Sequence, residues 1–175
     1  MLKEEIVKIA KECGFDVVGD LDPQTLTPMD MVYDACKENK CGKFGTNWGC
    51  SPHDGKEADT KLLRSYSNGL ILQCIGRSEK RIDRKMYQET GERLSDAMRK
   101  LTDIMRKEYP ECMALGAGGC RVCEECARPE PCRFPQKRIV ALEGYGIFVT
   151  QLCRDNGVEY NYGPGTISYN AAILW

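Results

Sequence analysis

Two runs of cysteine carry residue types and spacings that suit metal chemistry. The tighter is Cys120-x2-Cys123-x2-Cys126, followed by Cys132. Three thiolates at successive two-residue gaps can wrap three corners of a cubane, with a fourth ligand beside a proline that turns the chain away. Pro131 and Pro135 bracket Cys132, although its spacing departs from the ferredoxin run. The other run, Cys36-x4-Cys41-x8-Cys50, supplies three thiols and is also followed by a proline, Pro52. Three ligands allow three readings. A fourth could come from Cys13, Cys74, Cys112, Cys153 or His53. One position could stay open, as a substrate-binding or Lewis-acid site requires. Or the two runs could meet and share one centre.

Structural zinc is the rival, but it usually takes two separated ligand pairs in a tetrahedron. Three evenly spaced cysteines suit an iron–sulfur cluster better. Gly118 and Gly119 would let backbone N–H groups approach sulfide or thiolate. Arg121, Arg128 and Arg133 could offset the negative charge of a thiolate-bound cluster, or could simply be solvated loop residues. His53, the only histidine, could ligate metal or carry a proton, but a lone loop histidine is more often polar surface. Trp48 reads as a shield against water or as ordinary packing. Cys74 and Cys153 sit in apolar segments, where free cysteine behaves as a small hydrophobe. No carboxylate stands out as a catalytic acid or base. Gly163-Pro164-Gly165 reads as a tight turn, without the length or lysine of a phosphate loop.

Composition frames these runs. The chain has 175 residues, 25 Lys+Arg against 26 Asp+Glu, and eleven cysteines. Near-zero net charge gives no reason to expect nucleic acid or a membrane surface as partner. No stretch approaches the roughly 20 apolar residues that span a bilayer. The acidic, amphipathic start does not read as a signal peptide. The expectation is a soluble, cytoplasmic protein, where cysteines bind metal or do chemistry more often than they form disulfides.

The elements that must position the cysteines follow from periodicity. Leu2, Ile6, Ile9 and Ala10 predict a first helix stopped at Gly14. Residues 15–21 predict a strand, and Met29 to about Ala35 a short helix. Residues 36–52 lose periodicity and form a first cysteine loop, too long to be a mere connection. A helix over Lys56–Tyr66 and a buried strand over Leu70–Ile75 come next. Ser78 is the expected cap of the longest helix, striped by Ile82, Met86, Leu94, Met98, Leu101 and Met105 and ended at Tyr109-Pro110. Cys112–Gly116 predicts a third strand that runs into the second cysteine loop, 118–135. A helix over about 138–155 and a last strand over 166–175 complete the chain. The predicted fold class is α/β or α+β: one domain over residues 1–175, a sandwich of a mixed sheet and helices with the cysteine loops at strand ends.

The two loops together carry a resemblance. Cys36…Cys41-Gly-x-Phe-Gly-x-Asn-Trp-x-Cys50-x-Pro52, paired with Gly118-Gly-Cys-x-Val-Cys-x-x-Cys…Pro-Cys132-Arg-x-Pro135, resembles the predicted metal-binding proteins called domain of unknown function 2284. The likeness covers most of the chain, including Glu143-Gly-Tyr-Gly-Ile-Phe, read as helix, and the final strand. It departs at Ser51, where the pattern tends to a further proline. The resemblance implies a small cysteine-rich protein of anaerobes that binds metal through Cys36, Cys41, Cys50, Cys120, Cys123, Cys126 and Cys132. It implies no reaction.

The function expected from these readings is an iron–sulfur protein with one or two 4Fe–4S-type clusters, in electron transfer or as a redox subunit of anaerobic metabolism. Its partner would be a ferredoxin- or flavodoxin-type protein or an anaerobic enzyme, with homo-oligomerisation left open. The alternatives are a cluster enzyme whose open iron binds a small substrate or sulfur species, and a structural zinc module for protein contacts.

Overall fold

A computed structural model of the chain describes residues 1–50, 55–80 and 82–175. Two long strands form its centre: β2 (Gly69–Arg77) and β5 (Thr166–Leu174), antiparallel, with Gly69 opposite Leu174 and Arg77 opposite Thr166. β1 (Val17–Leu21) pairs antiparallel with the outer side of β2. On the far side of β5 lies β3 (Met113–Gly116), antiparallel, and beyond it β4 (Val140–Ala141), parallel to β3. The sheet is therefore mixed, in the order β1-β2-β5-β3-β4. With five α-helices among the described residues, the fold is α+β.

Helices cover both faces of the sheet, so its central strands are apolar almost throughout. Leu70, Leu72, Cys74, Ala171 and Ile173 point to one face. There they meet Ile6 and Ala10 of α1 (Lys3–Cys13) and Leu94, Met98, Leu101 and Met105 of α4 (Arg84–Glu108). Ile71, Ala172 and Leu174 point the other way. They meet Leu63 of α3 (Lys56–Leu63), Leu152 of α5 (Val149–Asp155), and Leu115, Val140 and Leu142. Among the described residues no helix is long and apolar enough to cross a membrane.

Most expected elements are present, with Gly14 closing α1 in the left-handed region (φ 114°). Three readings need correction. The longest helix starts at Arg84, later than expected, and Asp83 caps it by accepting from the Met86 N–H at 3.1 Å. Ser78 instead donates to the Asp83 carboxylate and accepts from the Lys80 N–H, outside the helix. Ile82 thus precedes the helix and is exposed, outside the apolar stripe. The helix expected over 138–155 does not form as one piece: β4, a 3-10 turn (Leu142–Tyr145) and α5 replace it. Gly146 breaks it, at φ 70°, a conformation that glycine adopts at little cost. Finally, only the second cysteine loop leaves a strand end; the first leaves the helix α2 (Asp30–Lys37), with Cys36 in its last turn.

Gly91 is a mid-helix glycine with room to spare. An added methyl would find the Tyr169 ring nearest, at 3.7 Å, an ordinary contact. Gly91→Ala is expected to stabilise the protein by about 1 kcal/mol from backbone entropy and helix propensity. Thermal or urea unfolding checks it.

Candidate metal centre

The second loop is the connection between two parallel neighbours, β3 and β4. Such a crossover is usually a helix that packs on the sheet. Here residues 117–134 carry no helix or strand, and no residue from 117 to 138 is buried. Cys120, Cys123, Cys126 and Cys132 are each half-buried free thiols on this segment. The segment lacks an apolar interior of its own, and its cysteines are among its most sheltered side chains.

The first loop lies against it. Asn47 Oδ1 accepts from the Gly49 N–H at 2.9 Å and from the Cys120 N–H at 3.4 Å. Gly49 is buried, and its carbonyl accepts from the Ala141 N–H of β4 at 2.9 Å. Trp48 Nε1 donates to the Glu130 carbonyl at 2.9 Å. The Arg128 guanidinium lies 5.5 Å from the Trp48 ring centroid and donates to the Gly45 carbonyl. Trp48 and Arg128 thus clip the loops together; the sequence left Trp48 between cluster shielding and packing, and Arg128 between charge offset and solvation. A methyl on Gly119 would stand 2.7 Å from Cys50 Sγ, so the loops touch beside a thiol of the first run.

Cys36, Cys41 and Cys50 come to one place from three local structures. Cys36 is held by α2 and donates to the Glu143 carbonyl at 3.7 Å. Cys41 is exposed in the turn that follows. Cys50 ends the loop, half-buried beside Asn47. All three line a cavity of about 670 Å³ together with Tyr33 and Glu143. Burial pushes the Cys36 thiol up, and the neighbouring Glu143 and Cys41 charges add to it. Burial raises Cys50 as well, partly offset by the Asn47 hydrogen bond. The Glu143 carboxyl is raised by its own burial. Sequence reasoning missed Glu143, because it was expected inside a helix; the 3-10 turn before Gly146 turns it into the cavity.

Cys126 goes the other way. Burial raises it, but backbone N–H groups of Arg128, Trp48 and Ala127, with the Arg133 charge, outweigh burial and lower it overall. Donors aimed at sulfur favour the thiolate, the form that binds metal.

The remaining cysteines belong to the core. Cys74 and Cys153 are fully buried, and burial pushes both thiols up to about 11. Cys153 hydrogen-bonds Asn170 Oδ1 at 3.5 Å, and Cys74 the Gly14 carbonyl at 3.7 Å. Cys112 is buried and Cys13 packs against the core under α4. None lines the cavity. His53, Ser51 and Pro52 lie outside the described residues.

The donor set fits a thiophilic centre. Arg128 Nε is buried without a hydrogen-bond partner among the described residues, a donor that an acceptor such as sulfide within the loop would satisfy. Among the described residues no three Cys, His, Asp or Glu side chains converge as ligands of a single ion. Clusters place their thiolates on separate irons, a wider arrangement than the roughly 2.0–2.3 Å shell of one zinc.

Fold and loops together define a class: an α+β protein whose two thiol-bearing loops pack on one another at the β4 edge of the sheet. The chain belongs to the family described as Predicted metal-binding protein (DUF2284), whose model matches residues 19–175. Comparisons with curated proteins and with solved structures give no match.

Proposed function

We propose that this is an iron–sulfur protein of anaerobic metabolism. Cys120, Cys123, Cys126 and Cys132 would hold one 4Fe–4S-type cluster; Cys36, Cys41 and Cys50 would hold a second with one iron not bound by cysteine. The observation that carries this is the second loop: a long irregular crossover with no buried residue, whose thiols are half-buried. Ordered segments of that length need something to pack around, and metal binding can supply the folding free energy that an apolar core would. A bound cluster supplies one-electron transfer and, at an iron without cysteine, a Lewis-acidic position. The chain's own residues hold the thiolates, direct backbone N–H groups at Cys126, and seal the loop junction with Trp48. Electron exchange with a ferredoxin- or flavodoxin-type partner, or with an anaerobic enzyme, in the cytoplasm is the role we assign.

The cavity favours a second reading, an enzyme at the first loop. A space of about 670 Å³ beside three thiols is in the range of small-molecule sites, about 300–1,000 Å³.

Protein purified under anoxia is expected to contain about eight irons and eight acid-labile sulfides per chain. About four of each would confine the cluster to one loop. Stoichiometric zinc without sulfide would overturn the proposal and leave a structural module.

A further inference from the structure

The cavity at the first loop has two chemically different parts. Its inner lining is apolar at Val32 and Ala141, which are buried, and at half-buried Phe44, with the Glu143 carboxyl and the thiols of Cys36 and Cys50 beside them. Its exposed rim includes Lys37, Lys40, Lys43 and Lys56, with Asp30 and Asp34. Three of these lysines have a carboxylate nearby: Lys37 with Asp34 at 3.5 Å, Lys40 with Glu38 at 2.6 Å and Lys56 with Asp30 at 3.0 Å. All six side chains are largely solvent-exposed, so such pairs are weak and open to exchange. Lys43 has no carboxylate within ion-pair distance among the described residues. Tyr33, on the wall, is already committed as donor to Asp59 at 2.5 Å, so it does not compete for an anion.

Lysines at the rim of a concave, low-dielectric site concentrate anions. Apolar surface inside it disfavours a fully hydrated inorganic ion and favours a molecule with hydrocarbon to bury. We propose that the cavity binds a small organic anion, a carboxylate on an apolar body, with the carboxylate at Lys43 and the body against Val32 and Phe44, beside Cys36, Cys41 and Cys50. This names the ligand class of the enzyme reading and rests on it. The lysines select and orient the anion, and the three thiols mark where chemistry on it would occur.

The test is isothermal calorimetry on the full chain reconstituted anoxically with iron and sulfide, using 4-phenylbutyrate as probe. Its amide, of the same shape without charge, and inorganic phosphate, charged without an apolar body, are the controls. The carboxylate is expected to bind about tenfold tighter than the amide, with no phosphate heat. Lys43→Gln is expected to weaken carboxylate binding about fivefold, while Lys8→Gln on α1, away from the cavity, changes nothing. Equal affinity for acid and amide, phosphate binding as tight as the carboxylate, or no effect of Lys43→Gln overturns the inference. Iron measured on the same samples separates the two levels. About eight irons without carboxylate binding sinks this inference alone. Carboxylate binding with iron only in the second loop sinks the open-iron reading and leaves the ligand class standing.

Discussion

Cys123→Ala is expected to remove about half of the bound iron, or to prevent soluble expression altogether. The residue sits in a crossover with no buried side chains, so nothing else there compensates for a lost ligand. Metal binding and folding of such a segment are one equilibrium. The comparison that gives this meaning is Cys74→Ala. Cys74 is fully buried against α4 and hydrogen-bonds the Gly14 carbonyl. Its truncation removes packing atoms and should cost about 1–2 kcal/mol of stability with iron content unchanged. Iron and sulfide assays on both variants, with urea unfolding of each, check the pair. If both lose iron alike, the division between ligand and core cysteines is wrong.

Gly49→Ala should do more damage than any single ligand change, because it acts on both loops. An alanine methyl there would press on the Cys120 backbone N and stand 2.7 Å from both Cys120 Cβ and the Ile139 carbonyl oxygen. These are backbone neighbours that cannot swing away. The Gly49 carbonyl also accepts from the Ala141 N–H, so any shift pulls on β4. We expect a loss of about 3 kcal/mol and depletion of iron from both loops. Gly118→Ala is the control. Unlike Gly49 it has a positive φ, 72°, but open space where the methyl would go. It should cost only about 1 kcal/mol from the backbone conformation. Equal behaviour of the two variants would show that the loop junction is not where the centres are assembled.

The sheet and the long helix were legible because their signals are local. A continuous apolar run such as Leu70–Ile75 states that both faces are covered, and the spacing of Leu94, Met98, Leu101 and Met105 states one buried stripe. The region 138–155 was misread for a reason of the same kind. Its apolar residues satisfy a helical spacing, but Val140 and Ala141 are taken by β3, a long-range pairing that short-range periodicity does not contain. Gly146 then breaks the remainder, where a methyl would collide with the Tyr33 ring. Glu143 was hidden by the same error. The thiol spacings were legible as metal chemistry, and the family match supports metal binding. That Cys36, Cys41 and Cys50 share a cavity was not, because it depends on α2 docking against the 142–145 turn. Likewise, the roles of Trp48 and Arg128 are visible only once two segments some eighty positions apart are in contact.

The central position of β5 has a consequence for biosynthesis. This strand joins β2 to β3, yet it lies C-terminal to both cysteine loops. During translation every thiol of both loops leaves the ribosome before the element that unites the sheet exists. Pairings of such long sequence separation form late, and until then the thiols are open to oxidation and to the wrong metal. On the proposed iron–sulfur reading, assembly of the centres would follow translation, and the supply of iron and sulfide when β5 docks would govern the yield of loaded protein.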